Sequence, residues 1–201
     1  MGDAVATGPE VLDTGRGEHA VVFYPDEQEL VERVSEHLLP ATRDDGVAIV
    51  VATPKHHRFF EERLAVAGAD LAAARQRGSY LALDAGETMR GFMVADWPDP
   101  AGFWQAITPL LRGAATDGKP VRVFGEMVSL LWDSGLVSAA IEVEAMWNEL
   151  CGQFPFALLC AYQAEPVSCA HHLDALTEVR RAHTQVIGGP PEPEQAQPLG
   201  L

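Results

Sequence analysis

His19-Ala20-Val21-Val22-Phe23-Tyr24-Pro25-Asp26-Glu27-Gln28-Glu29-Leu30 sets an apolar run against a turn and the opening of an amphipathic segment. Ala20 to Tyr24 reads as a buried first strand. Leu30, Val31, Val34, Leu38 and Leu39 then recur at helical spacing, which predicts a helix over about 26–42, with Pro40 as the point where it bends or ends. A strand, a tight turn and a helix form the repeating unit of open α/β sheets. The turn is where such sheets hold a phosphate, on backbone N–H groups and a helix N-terminus. Here the turn carries Phe23, Tyr24, Pro25, Asp26, Glu27 and Glu29, with no glycine and no lysine. The place suits a phosphate and the residues do not.

The same alternation continues along the chain. Asp44-Asp45-Gly46 is turn chemistry, and the unbroken apolar run Val47 to Ala52 reads as a strand covered on both faces. Thr53-Pro54 reads as an N-cap followed by proline at the first helical position, opening a helix with Phe59, Phe60, Leu64 and Val66 that Gly68 closes. Asp70 to Arg77 is a short helical piece, Gly78 a break, and Tyr80 to Leu83 a third strand ending on Asp84. Residues 85–98 look irregular. Asp99-Pro100 then opens a helix with Phe103, Trp104, Ile107, Leu110 and Leu111 on its apolar face, which Asp117-Gly118 ends. Val121 to Phe124 is a fourth strand running into Gly125-Glu126-Met127, a long helix covers 136–153, Phe156 to Tyr162 is the fifth strand, and a last helix spans about 166–181. The fold class is therefore α/β: a three-layer α/β/α arrangement around a mainly parallel five-stranded sheet. Ligands in such sheets bind beyond the carboxyl ends of the strands. Those ends are Phe23-Tyr24, Thr53, Asp84, Gly125-Glu126 and Cys160 to Tyr162.

With 201 residues the chain has room for one sizeable domain. Residues 1–17 read as a loose leader, 18–187 as the folded domain, and 188–201 as a proline-rich polar tail without enough apolar surface to fold. The 14 basic against 29 acidic residues give a net charge of −15, with Lys55 and Lys119 the only lysines. Such a surface repels nucleic acid and anionic lipid, so direct nucleic-acid binding and membrane association are not expected. The start lacks a basic segment followed by an apolar one, and no apolar run approaches the roughly 20 residues that span a bilayer. Three cysteines, an odd number, fit reduced thiols in a cytoplasmic protein.

Each candidate site residue has a plainer reading beside the functional one. Phe23 and Tyr24 are core packing at a strand end or ligand contacts, Tyr24 being the better contact because a buried phenol needs a hydrogen-bond partner. Glu126, at the end of an apolar strand, is a hydrogen-bonding switch with a raised pKa or a carboxylate capping the next helix. Glu144, Asn148 and Cys151 follow one flank of the long helix at i, i+4, i+7 spacing, as a structural network or as part of a ligand site. Trp97, Phe92, Met89 and Met93 form a lid over an apolar ligand or a cover for the sheet. No metal is expected. The cysteines lie nine residues apart, and His171 and His172 point about 100° apart on a helix. A nucleophilic Cys160 needs a base and an oxyanion pocket, neither legible in the sequence.

Taken together, His19, Phe23-Tyr24 with its acidic helix start, Ala52-Thr53-Pro54, Gly125-Glu126-Met127, Glu144 and Asn148, Cys160 and Tyr162, and His171-His172 resemble, in order and spacing, the MEDS or DcmR-like sensory domain over about 18–187. The resemblance implies a RecA/KaiC-related core and a role in signal transduction and transcription regulation, sensing small hydrocarbon-derived molecules. It also implies association with histidine-kinase-like ATPase, anti-sigma-factor or DNA-binding modules, none of which is legible here. The expected function is a non-enzymatic cytoplasmic sensory domain. It binds an unidentified small molecule through His19, Phe23, Tyr24, Thr53, Glu126, Asn148, Cys160 and Tyr162, with Trp97, Glu144, His171 and His172 as secondary candidates and no cofactor. It signals to a histidine-kinase or anti-sigma-factor type of protein. The alternatives are a degenerate RecA-like nucleotide binder or weak ATPase, and a ligand-free protein-binding regulator.

Overall fold

A computed structural model describes residues 17–43, 46–115, 118–167 and 172–189. In chain order the elements are β1 (His19–Tyr24), α1 (Glu27–Arg43), β2 (Val47–Ala52), α2 (Pro54–Val66), α3 (Leu71–Gln76), β3 (Tyr80–Asp84) and α4 (Ala85–Arg90). There follow β4 (Met93–Val94), β5 (Trp97–Pro98), α5 (Pro100–Ala114), β6 (Val121–Gly125), α6 (Met127–Asp133), α7 (Val137–Gln153), β7 (Phe156–Gln163), α8 (Ala164–Val167), α9 (Leu173–Ala182) and β8 (Gln185–Gly188). The expected leader (through residue 16), most of the proline-rich tail, Cys169 and His171 lie outside the described residues.

The main sheet has the order β3-β2-β6-β7-β1-β8 with every neighbouring pair parallel. Its continuous apolar strands are the consequence of cover on both faces. Ala20, Val22, Ala48, Val50, Phe124, Leu159 and Ala161 face one way, onto Leu30, Val34 and Leu38 of α1 and Phe60 and Leu64 of α2. Val21, Phe23, Ile49, Val51, Val123, Leu158, Cys160 and Tyr162 face the other way, onto α5, α6, α7 and α9 through residues such as Phe103, Trp132, Trp147 and Val179. This is the expected three-layer α/β/α arrangement, with six strands rather than five.

The sixth strand, β8, runs beside β1 with Val21 opposite Val186 and Val22 opposite Ile187. Two more expectations need correction. Residues 85–98 are regular: Asp84 caps α4 by accepting from the Glu87 N–H at 2.7 Å, and β4 and β5 form a small antiparallel hairpin. The single last helix is two helices, α8 and α9. Pro40 does not end α1, because it lies so near the last turn that the missing N–H forfeits little of the helical ladder. Thr53 caps α2 and Asp99 opens α5 as the sequence predicts, and Asp70, expected inside the short helical piece, is the cap of α3.

Candidate functional site

Because all six strands are parallel, their carboxyl ends share one edge. The sequence-derived site residues do not gather there as one cleft. They form two groups on opposite faces of the sheet.

The first group is at the strand ends. Tyr24 ends β1 and packs on the α1–α2 side. Thr53 follows β2, and its backbone N–H donates to Glu126 Oε2 at 2.6 Å. Glu126 follows β6 and is 4 % exposed; its other oxygen pairs with His56 Nδ1, from the first turn of α2. Glu126 therefore does not cap its own helix, α6, whose start has no side-chain cap. It occupies the entrance of α2, where a helix N-terminus favours an anion. His56 continues through Nε2 to Glu27 Oε1 at 3.4 Å, and Lys55 also pairs with Glu27. Burial, then the charges of Glu126, Asp133 and Glu27, push the Tyr24 hydroxyl far above its ordinary pKa. Burial and Glu126 likewise raise the Asp133 carboxyl. Glu126, despite burial, raises His56 through their hydrogen bond. At each helix start one N–H that a phosphate could use is already taken: Asp26 accepts from the Glu29 N–H at 2.9 Å at the start of α1, and Thr53 Oγ1 from the His56 N–H at 3.4 Å at the start of α2. A groove of about 440 Å³ begins at Glu27 and runs between α1 and α2 past Val31, Phe59, Glu62 and Val66.

The second group is buried beneath the sheet. His19 opens β1, at the end opposite Tyr24, and Cys160 and Tyr162 point to the same face from β7. Glu144 and Asn148 reach up from α7. Glu144 Oε1 accepts from Tyr162 Oη at 2.7 Å; Glu144 Oε2 lies 3.4 Å from Cys160 Sγ and 3.2 Å from His19 Nε2. His19 Nε2 is also 3.3 Å from Cys160 Sγ, and His19 Nδ1 is 3.0 Å from Asn148 Oδ1. Asn148 Nδ2 donates to the Ala182 carbonyl at 2.9 Å, which fixes the amide orientation. His183, between α9 and β8, completes the group. Its ring lies against that of His19, tilted by 48° with centroids 4.0 Å apart, and its Nε2 stands 3.5 Å from Glu144 Oε2. Burial opposes ionisation of Glu144, but His183 and His19 win and hold its carboxyl far below the usual range. Burial and then Glu144 hold the Cys160 thiol and the Tyr162 hydroxyl well above theirs, and push Cys151 up to about 12. Glu144 raises His183 against the effect of burial. Cys160, His19 and Asn148 are the residue types of a thiol–base–orienter triad. A buried thiol held protonated beside a carboxylate is not an activated nucleophile. His19, Glu144, Cys160 and His183 are the described residues able to hold a metal ion, with no two ligand atoms more than 4.8 Å apart.

The remaining candidates fall outside both groups. Phe23 is core, stacked on Tyr162 with the Arg180 guanidinium over its ring. His172 precedes α9 and meets the Trp132 ring edge-on at 5.2 Å. Trp97 is half exposed in the hairpin, while Phe92 is buried against Phe103, so this segment covers the sheet.

The residues that spacing and resemblance had put in order thus occupy definite places in one fold. Against family models, residues 18–184 match MEDS, the MEthanogen/methylotroph, DcmR Sensory domain. The chain belongs to the MEDS family. A search of curated proteins gave no match. The MEDS match covers every strand of the main sheet except β8, and reaches to the residue after His183. The family is described as sensory, which accords with a sensory or regulatory role for this MEDS domain. No helix among its described residues is long and apolar enough to cross a membrane.

Proposed function

We propose that this MEDS domain is a non-enzymatic sensory module that binds a small neutral or cationic molecule at the carboxyl ends of β1, β2 and β6. It reports the bound state to a signalling protein of the histidine-kinase or anti-sigma-factor kind. The observation that carries this reading is the buried Glu126 carboxylate, held by the Thr53 N–H and His56 at the place where parallel sheets receive ligands. Glu27 and Asp133 add their field to it, as the raised Tyr24 hydroxyl between them reflects, so an anionic ligand is repelled and a hydroxyl or amine donor is favoured. Nucleotide hydrolysis is disfavoured because Asp26 and Thr53 each already take a first-turn N–H of their helix and no lysine or glycine stands in the β1–α1 turn. Glu27 links the site to the groove between α1 and α2. A ligand that takes Glu126 from His56 alters that link, and the groove is the surface a partner reads.

The second reading is a degenerate RecA/KaiC-type nucleotide binder, favoured by the all-parallel sheet and the position of the turn after β1. Thermal unfolding in the presence of small alcohols, amines, carboxylic acids and magnesium–ATP separates the two. A ligand at about 100 times its Kd adds roughly 2.7 kcal/mol of stability. Stabilisation by an alcohol or amine, lost in Glu126→Gln, is the expected result. Stabilisation by magnesium–ATP alone, with release of phosphate, overturns it.

A further inference from the structure

The absence of a metal motif in the sequence does not survive folding, because four ligating side chains far apart in the chain converge. His19 comes from β1, Glu144 from α7, Cys160 from β7 and His183 from the link between α9 and β8. All four are at least nine-tenths buried.

The orientation of the two histidines is the decisive detail. Each has Nδ1 engaged by an acceptor outside the cluster: His19 by Asn148 Oδ1 at 3.0 Å, His183 by the Val179 carbonyl at 2.6 Å. A neutral imidazole that donates from Nδ1 carries its lone pair on Nε2, and an imidazolium frees that lone pair by giving up its Nε2 proton. Both Nε2 atoms point at the same oxygen, Glu144 Oε2, from 3.2 and 3.5 Å. An Nε2 that faces a carboxylate must carry a proton or a metal ion, because a bare lone pair there would repel the oxygen. His183 Nε2 has no hydrogen-bond partner there although it is buried, so its 3.5 Å approach to the carboxylate is an unsatisfied one. Fixing Nδ1 on a carbonyl or amide oxygen while Nε2 faces inward is also how proteins orient histidine ligands to metals.

We propose that His19 Nε2, His183 Nε2, Glu144 Oε2 and Cys160 Sγ form a tetrahedral binding site for a divalent transition-metal ion of the zinc class. Metal–ligand bonds of about 2.0–2.3 Å in a tetrahedron put the ligand atoms roughly 3.3–3.8 Å apart. The four contacts already present, 3.2, 3.3, 3.4 and 3.5 Å, are close to those edges. Two imidazoles, one carboxylate and one thiolate make a mixed set that suits zinc over magnesium or calcium. The charges also close. A divalent cation with one thiolate and one carboxylate is neutral, as is the metal-free cluster with one imidazolium opposite Glu144. Binding exchanges the ion for two protons, one from Cys160 Sγ and one from His183 Nε2. Tyr162 Oη, donating to Glu144 Oε1, and Asn148 then hold the ligands from outside. Four protein ligands leave no open position, so the ion ties α9 and β8 to α7 and β1 and does not activate water. This site is independent of the strand-end pocket, on the other face of the sheet.

The test uses the full chain, cleared of metal by unfolding and refolding in chelator, then titrated with cobalt(II). One equivalent is expected to give the visible bands of tetrahedral cobalt and a near-ultraviolet thiolate charge-transfer band. Cys160→Ser should abolish the latter, which separates Cys160 from the other two cysteines. Asn148→Ala keeps all four ligands and should weaken binding about 10–100-fold. If the ligand variants do not fold, X-ray absorption of the zinc-loaded native chain decides: one sulfur and three nitrogen or oxygen neighbours are expected. Hydrogen exchange across 173–188 should slow on metal addition. Absence of stoichiometric uptake, a thiolate band that survives in Cys160→Ser, or an all-oxygen six-coordinate shell overturns the proposal.

Discussion

Replacing Tyr162 with phenylalanine tests the buried cluster with the least disturbance. The Tyr162 hydroxyl donates to Glu144 Oε1 at 2.7 Å, and both side chains are 1 % exposed. The substitution removes one oxygen and leaves the ring between Phe23, at a centroid distance of 5.9 Å, and Trp132, at 5.4 Å. The cost is therefore that of a hydrogen bond to a charged acceptor with no water to replace it, about 2 kcal/mol. For a chain of this size that lowers Tm by about 4–8 °C. Urea unfolding of chelator-treated protein measures the loss, with an unchanged m-value confirming that the two end states are the same. In a Glu144→Gln background the same change removes only a neutral hydrogen bond, costing about 1 kcal/mol, so the double-mutant cycle should return a coupling of about 1 kcal/mol. A loss below about 0.5 kcal/mol, or the same loss in both backgrounds, refutes a charged Glu144 that depends on Tyr162.

Three further outcomes follow from single residues. His37 is buried with Nε2 donating to the Val123 carbonyl, and burial followed by the charge of Arg122 lowers its pKa to about 3. The unfolded chain then binds the extra proton first, so stability falls as pH drops from about 6.5 towards 3, by roughly 5 kcal/mol from this group; His37→Leu should flatten that part of the urea-midpoint profile. His56 has the opposite sign. Its raised pKa contributes stability below about 6.5 that is lost as pH rises through the folded value, and His56→Gln should remove that decline. A Cβ on Gly46 would meet the Pro120 carbonyl at 2.6 Å and Ala41 Cα at 2.8 Å, both backbone atoms, so Gly46→Ala should cost about 1–3 kcal/mol in the same assay.

What was legible in the sequence follows from how local each signal is. Val47 to Ala52 has no alternation because both its faces are covered, and the reading held without any tertiary knowledge. Thr53-Pro54 and Asp99-Pro100 announced their helices through a cap and a preset φ. Residues 85–90 carry no apolar stripe, so periodicity missed α4, although Asp84 with Glu87 three residues later is a capping pattern that marks it. β8 was missed because Gln185-Val186-Ile187-Gly188 offers two apolar residues and only its place beside β1 makes it a strand. His56 was within reach, since a side chain in the first turn after β2 must lie near the strand ends. His183 carried no local signal: it is 39 positions from Glu144, and only the return of the chain beside β1 brings the two together. His19 was placed by resemblance at a strand-end site. Its position at the start of β1 puts it in the buried cluster instead.

The claim at the centre of this account is that the strand-end carboxylate of Glu126 is a receptor for a small donor and not a remnant of phosphate chemistry. Its most direct test is nuclear magnetic resonance of the Thr53 amide, which donates to Glu126 Oε2 at 2.6 Å, together with the His56 ring that shares the carboxylate. Titration with a stabilising alcohol or amine should move both signals saturably, and neither should respond to magnesium–ATP. Saturable shifts of Thr53 and His56 with magnesium–ATP, while alcohols and amines leave them unmoved, would contradict it.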